Sequence, residues 1–165
     1  MKKTLTLFLT VLLTVVSVTS LSAQNSFSVK YVGEAGINTF PPNSIKVEAD
    51  YDRHNYIINP PNSSSQTTHV VASKHIANGA TAAYLIAPTP HPTTAQMFDL
   101  YHLKVTWNSL QNGFPISRVF TFNDAQILSA NNGNEIDLTI VGARIRLKAI
   151  HSDLHVTYQI TLLTY

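Results

Sequence analysis

"ARIRLKAIHSDLHVTYQITL", residues 143–162, decides the fold. In its first half Ala143, Ile145, Leu147 and Ala149 alternate with Arg144, Arg146 and Lys148. In its second half Leu154, Val156, Tyr158, Ile160 and Leu162 alternate with His155, Thr157, Gln159 and Thr161. A strand turns successive side chains to opposite faces, so this period of two marks two strands, each with one dry and one wet face. The His151-Ser152-Asp153 break is a turn, and 154–164 is expected to pair with 143–150 as an antiparallel hairpin. The alternative is that the last strand is given to a neighbouring subunit.

The same period recurs upstream. "SIKVEADY", residues 44–51, sets Ile45, Val47, Ala49 and Tyr51 against Lys46, Glu48 and Asp50. Further short strands are expected at 27–33, 54–58, 68–73, 81–87, 98–107, 116–122 and 135–141. Between them lie proline-rich breaks such as "NTFPPNS", "NPPNSSSQ" and "APTPHPTT", which cannot continue a ladder because proline lacks the amide hydrogen. Asn132-Gly133 is a strong short hairpin signal. Thr93 followed by Gln96 resembles a capping box and predicts a short helix at 94–101. About ten short strands in 142 residues predict an all-β, antiparallel, single-domain sandwich, Ig-like or jelly-roll-like. A small eight-stranded outer-membrane barrel is the alternative, since it too alternates wet and dry faces.

The first residues set the expected address. Lys2 and Lys3 precede an apolar run at 5–18, and "SLSA" ends in small residues at Ala23. That order is a secretory signal peptide over 1–23, with 24–165 as the mature domain. The apolar run is shorter than the ~20 residues of a spanning helix, so no transmembrane helix is expected in the mature chain. The Met-Lys-Lys opening is bacterial in style. The protein is therefore expected outside the cytoplasm, as a secreted, periplasmic or cell-surface domain.

Charge and cysteine content exclude several functions. Losing Lys2 and Lys3 leaves nine basic residues against nine acidic ones. A neutral chain is a poor nucleic-acid binder, because phosphate neutralisation dominates that affinity. There is no cysteine, so disulfides, thiolate catalysis and cysteine metal sites are excluded. No Gly-x-Ser-x-Gly elbow or phosphate-cradling loop is present. A carboxylate pair for glycoside hydrolysis is defined by spatial separation and cannot be read from sequence.

Three candidate sites remain. Asp52, Arg53, His54 and Tyr56, read as loop residues, with Trp107 half-exposed at a strand end, combine rings with polar groups and suit a protein partner or a surface glycan. His151, Asp153 and His155, meeting across the turn, form a candidate metal site, imidazole being the commonest ligand. Arg144, Arg146 and Lys148 form a basic stripe, expected on a solvated face where such side chains pair with cross-strand acids. The function expected from all this is non-enzymatic: binding, adhesion or cell-surface assembly, with self-association possible and no cofactor. A secreted carbohydrate- or metal-binding protein or hydrolase is the further alternative.

Overall fold

The computed structural model describes residues 25–33, 39–40, 44–59, 62–87, 94–111, 114–140 and 143–163. The expected leader at 1–23 lies outside them. In chain order the elements are β1 (Ser26–Gly33), β2 (Thr39–Phe40), β3 (Ser44–Asn59), β4 (Asn62–Ala77), β5 (Thr81–Leu85), β6 (Thr94–Gln111), β7 (Phe114–Phe122), α1 (Asp124–Asn131), β8 (Ile136–Ile140), β9 (Ala143–Ser152) and β10 (His155–Leu163). One sheet has the order β5-β1-β10-β9-β8. In the other, β6 lies between β7 and β3, β4 flanks β3, and β2 also pairs with β6.

The dry faces meet between the sheets, as the alternation requires. Ile145 and Leu147 on β9, Val156 and Ile160 on β10, and Phe27 and Val29 on β1 are fully buried. From the opposite sheet come Val47 and Ala49 on β3 and Leu103 and Val105 on β6. Phe27 anchors an aromatic cluster: its ring is 4.7 Å from Phe98, 5.0 Å edge-on from Tyr51 and 5.7 Å stacked on Tyr84. Tyr84 crosses between the sheets, its hydroxyl donating to the Val47 carbonyl at 2.6 Å. Helix α1 packs on both β6 and β9 and buries Ile127 and Ala130. The sheets are therefore linked on one flank by β4 and β5 and on the other by the helix.

The hairpin reading holds: β9 and β10 pair antiparallel, with Ile160 opposite Leu147 and Tyr158 opposite Ala149. Asp153 adopts φ 47 in the turn, a conformation Asp tolerates better than most residues. The last strand belongs to its own sheet, between β1 and β9.

Several expectations need correcting. The strands form two sheets and not a closed barrel, and the apolar side chains face one another rather than outward, which removes the barrel alternative. Among the described residues seven of eight strand pairings are antiparallel, but β1 runs parallel to β10. Alternation specifies a strand's faces and is silent on its direction. The short strands at 44–51 and 54–58 are one strand of 16 residues. No helix spans 94–101; that segment opens β6 and pairs with β3. Gln96 caps nothing. Its buried amide donates to the carbonyls of Asn25 at 2.7 Å and Ile86 at 3.1 Å. The capping box stands instead at Asn123 and Gln126, each side chain accepting from the other's backbone N–H at 3.0 Å. Asn132-Gly133 ends helix α1 rather than joining two strands. Gly133 supplies the positive φ, 89°, that a helix C-terminus commonly needs.

Candidate functional site

The wet face of β3 carries a polar row between two neighbouring strands. Even-numbered positions from Lys46 to Tyr56 share it, because odd-numbered Ile45, Val47, Ala49 and Tyr51 are buried against the core. Its neighbours are β4 on one side and β6 on the other. The register sets Asp52 between His69 on β4 and Asp99 on β6, and Asp50 between Val71 and His102. A β-bulge interrupts the β3–β6 ladder between Asp50 and Tyr51, whose partners are His102 and Leu100. Tyr101 is the extra residue. A bulge re-aims the side chain it carries, and here the Tyr101 hydroxyl reaches Asp52.

The result is two neighbouring groups of contacting side chains, Tyr101, Asp52, His69, Asp50 and His102 in one and His54, Asp99 and Thr67 in the other. Tyr101 donates to Asp52 Oδ2 at 2.8 Å. His69 Nδ1 lies 2.9 Å from Asp52 Oδ1. His69 Nε2 is 3.3 Å from Asp50 Oδ1, inside ion-pair range. That oxygen is shielded from solvent yet makes no aligned hydrogen bond, so proximity rather than bonding describes the contact. His102 Nε2 lies 2.9 Å from Asp50 Oδ2. His54 bridges Asp99 and Thr67 with 2.9 Å contacts from its two nitrogens. Beyond this set, Lys104 and Glu48 pair at 3.5 Å.

The electrostatics follow from these contacts. The hydrogen bonds from Tyr101 and then His69 hold Asp52 below the ordinary carboxylate range. The Asp52 carboxylate in turn pushes the Tyr101 hydroxyl up to about 12, because the bond is strongest while the phenol keeps its proton.

The set breaks a local rule. Asp52 and Asp99 stand directly opposite across the ladder, where like charges destabilise a sheet. Exposed ion pairs return ~0–1 kcal/mol each, so stability alone does not account for three carboxylates on one patch. Such violations cluster at functional surfaces.

The imidazoles and carboxylates contact one another directly at 2.9 Å. Among the described residues no group of three or more His, Asp or Glu is placed to hold a metal.

Of the first candidate site, Asp52, His54 and Tyr56 share this face, on a strand rather than in a loop. Arg53 points to the other face, opposite Thr68 and Phe98, and its Nε is buried without a hydrogen-bond partner. Trp107 is 4 % exposed, a core residue rather than a half-exposed platform. The second candidate site is divided by its own hairpin. His151 is opposite inward Val156, whereas His155 is opposite Ser152, so the two imidazoles leave opposite faces. His155 clasps β1 to β10 instead: its Nδ1 lies 2.8 Å from the Ser26 hydroxyl and its Nε2 2.9 Å from that of Ser28. Both serines are buried, which removes them from a substrate's reach. The basic stripe lies on the solvated face of β9. Arg144 and Arg146 both bond Asp137 on β8 and hold its carboxyl down at about 2, Arg146 contributing most. Lys148 reaches Glu135 at 3.0 Å.

Asp50, His69, Asp99, Tyr101 and His102 escaped the sequence reading. The first was legible: continuing the period of two from 44–51 through Tyr56 aligns Asp50 with Asp52 and His54. The others depend on cross-strand register and on a bulge. Comparison with protein-family models, with curated proteins and with solved structures finds no match for the chain.

Proposed function

We propose that this is an exported, non-enzymatic β-sandwich that binds at the cell surface, and that its contact face is the outer side of β4, β3 and β6. One observation carries the reading: a bulge and three strands align Asp50, Asp52, His54, His69, Asp99, Tyr101 and His102 on one face, in two neighbouring groups of contacting side chains. Solvated sheets can be kept wet by mobile Lys, Glu and Thr side chains. Here the side chains are short and already fixed, so a partner would lose little entropy in ordering them. Asp99, with a side chain 67 % exposed, offers a free acceptor. Such a face suits a partner rich in hydrogen-bond donors or cations, either a protein segment or a surface glycan. The leader-like residues 1–23 support export.

The test uses residues 24–165, which contain every described residue. Immobilised protein is screened at about pH 8 against glycans and short peptides of defined charge. Hits are then compared for wild type, Asp52→Asn/Tyr101→Phe and Arg146→Ala. The reading expects the double variant to weaken binding at least about tenfold while Arg146→Ala, on the other sheet, does not. Equal effects of the two would overturn it.

A further inference from the structure

We propose that the histidines make this face responsive to protons, so that it holds a cationic partner near neutral pH and releases it on acidification. The inference rests on the contact-face reading and adds its regulation.

His69 has a carboxylate near each ring nitrogen, Asp52 Oδ1 at 2.9 Å and Asp50 Oδ1 at 3.3 Å. A neutral imidazole has one N–H and one lone pair. Either neutral tautomer therefore leaves a lone pair near one carboxylate, and only the imidazolium sets positive charge beside both. His54 is different: the Thr67 hydroxyl can donate to its Nδ1 or accept from it, so both forms are satisfied. His102 has Asp50 on Nε2.

Histidine is the side chain whose ordinary charge change falls between about pH 5 and 8. Three carboxylates, Asp50, Asp52 and Asp99, face three imidazoles, His54, His69 and His102. With neutral imidazoles the patch carries three negative charges, and with all three protonated it carries none. Of the other groups on this face, Glu48 is paired with Lys104, Lys46 lies opposite His75 at the far end of the row and offsets part of this charge in both states, and Tyr101 keeps its proton throughout this range. A partner's ammonium or guanidinium groups need the carboxylate oxygens that the imidazolium N–H groups would take. Protons and partner then compete for one set of acceptors, and the coupling is reciprocal. Each imidazole that must lose its proton for binding makes affinity fall by up to about tenfold per pH unit once it is protonated.

Two measurements test this on residues 24–165. In the first, the histidine Hε1 and aspartate carboxyl NMR signals are followed from about pH 8 to about pH 5, with circular dichroism to confirm that the fold persists. The device expects the Asp50 and Asp52 carboxyl signals to follow the His69 and His102 transitions, and Asp52→Asn to uncouple His69. Histidines that titrate without moving the carboxyl signals would overturn it. In the second, hexalysine binding is measured at each pH for wild type and His69→Gln/His102→Gln. Affinity should fall at least about tenfold from pH 8 to pH 5 in wild type and by much less in the variant. Binding that is unchanged with pH would overturn the proton response and leave the contact face standing. No binding at pH 8, with the carboxyl signals still following the histidines, would overturn the cationic partner and the contact face together.

Discussion

Replacing Ile160 with alanine tests how much of the fold hangs on the last strand. Ile160 is fully buried, on a strand flanked by β1 and β9, with Tyr31 opposite on one side and Leu147 on the other. The substitution removes three carbons. At ~0.8 kcal/mol per buried methylene the transfer loss is about 2.4 kcal/mol. The cavity adds ~24 cal/mol per Å³ of unfilled space, and measured Ile→Ala losses run ~2–5 kcal/mol. Packing from both neighbouring strands limits collapse around the gap, so about 3–4 kcal/mol is expected. Net domain stability is ~5–15 kcal/mol, so the variant should still fold. With a urea slope of ~2 kcal/mol per molar, the unfolding midpoint should drop by roughly 1.5–2 M. Thr161→Ala, on the wet face of the same strand, should cost less than about 1 kcal/mol. Equal midpoints for the two variants would refute the placement of β10 inside the core.

Other expectations follow from the contacts. Arg144→Ala, Arg146→Ala and Lys148→Ala combined should cost below about 2 kcal/mol at low salt and less at 1 M salt, since all three are exposed enough for screening; a larger, salt-independent loss in a denaturant melt would mean a buried network. Asp137 has a folded pKa of about 2, below its unfolded value, so its contribution is present above about pH 4 and fades as pH falls towards 2. Asp137→Asn should flatten that acid limb in a pH series of urea melts. Burial pushes Tyr158 up to about 12, so its contribution is complete below about pH 10 and is lost as pH rises towards 12; Tyr158→Phe should make alkaline unfolding shallower. Asn123→Ala removes the α1 cap and should cost ~1 kcal/mol, read from thermal melts.

The faces of the strands were legible in the residues because burial on one side demands a period of two. Ile145 and Leu147, or Val156 and Ile160, could face inward only together. Direction and length were not. Nothing in 26–33 reveals that β1 runs parallel to a strand more than a hundred residues away. The polar run Asp52-Arg53-His54-Asn55 looked like a loop because loops are polar, yet β4 and β6 flank it and satisfy its backbone. Trp107 looked half-exposed from its place at a strand end, but β6 continues past it to Gln111. At the site, the β3 row could be read from spacing. His69, Asp99 and His102 came into view only with the register, and Tyr101 only with the bulge.

The most direct test of the contact face is to map where a ligand touches. Amide and side-chain NMR shifts of residues 24–165 are recorded while the tightest ligand from the charged-peptide and glycan screen is added at about pH 8. The account predicts that perturbations concentrate on the outer positions of β3, β4 and β6, with Asp52, His69, Asp99, Tyr101 and His102 among the largest. Perturbations centred on Arg144, Arg146 and Lys148, on the far sheet, would contradict it.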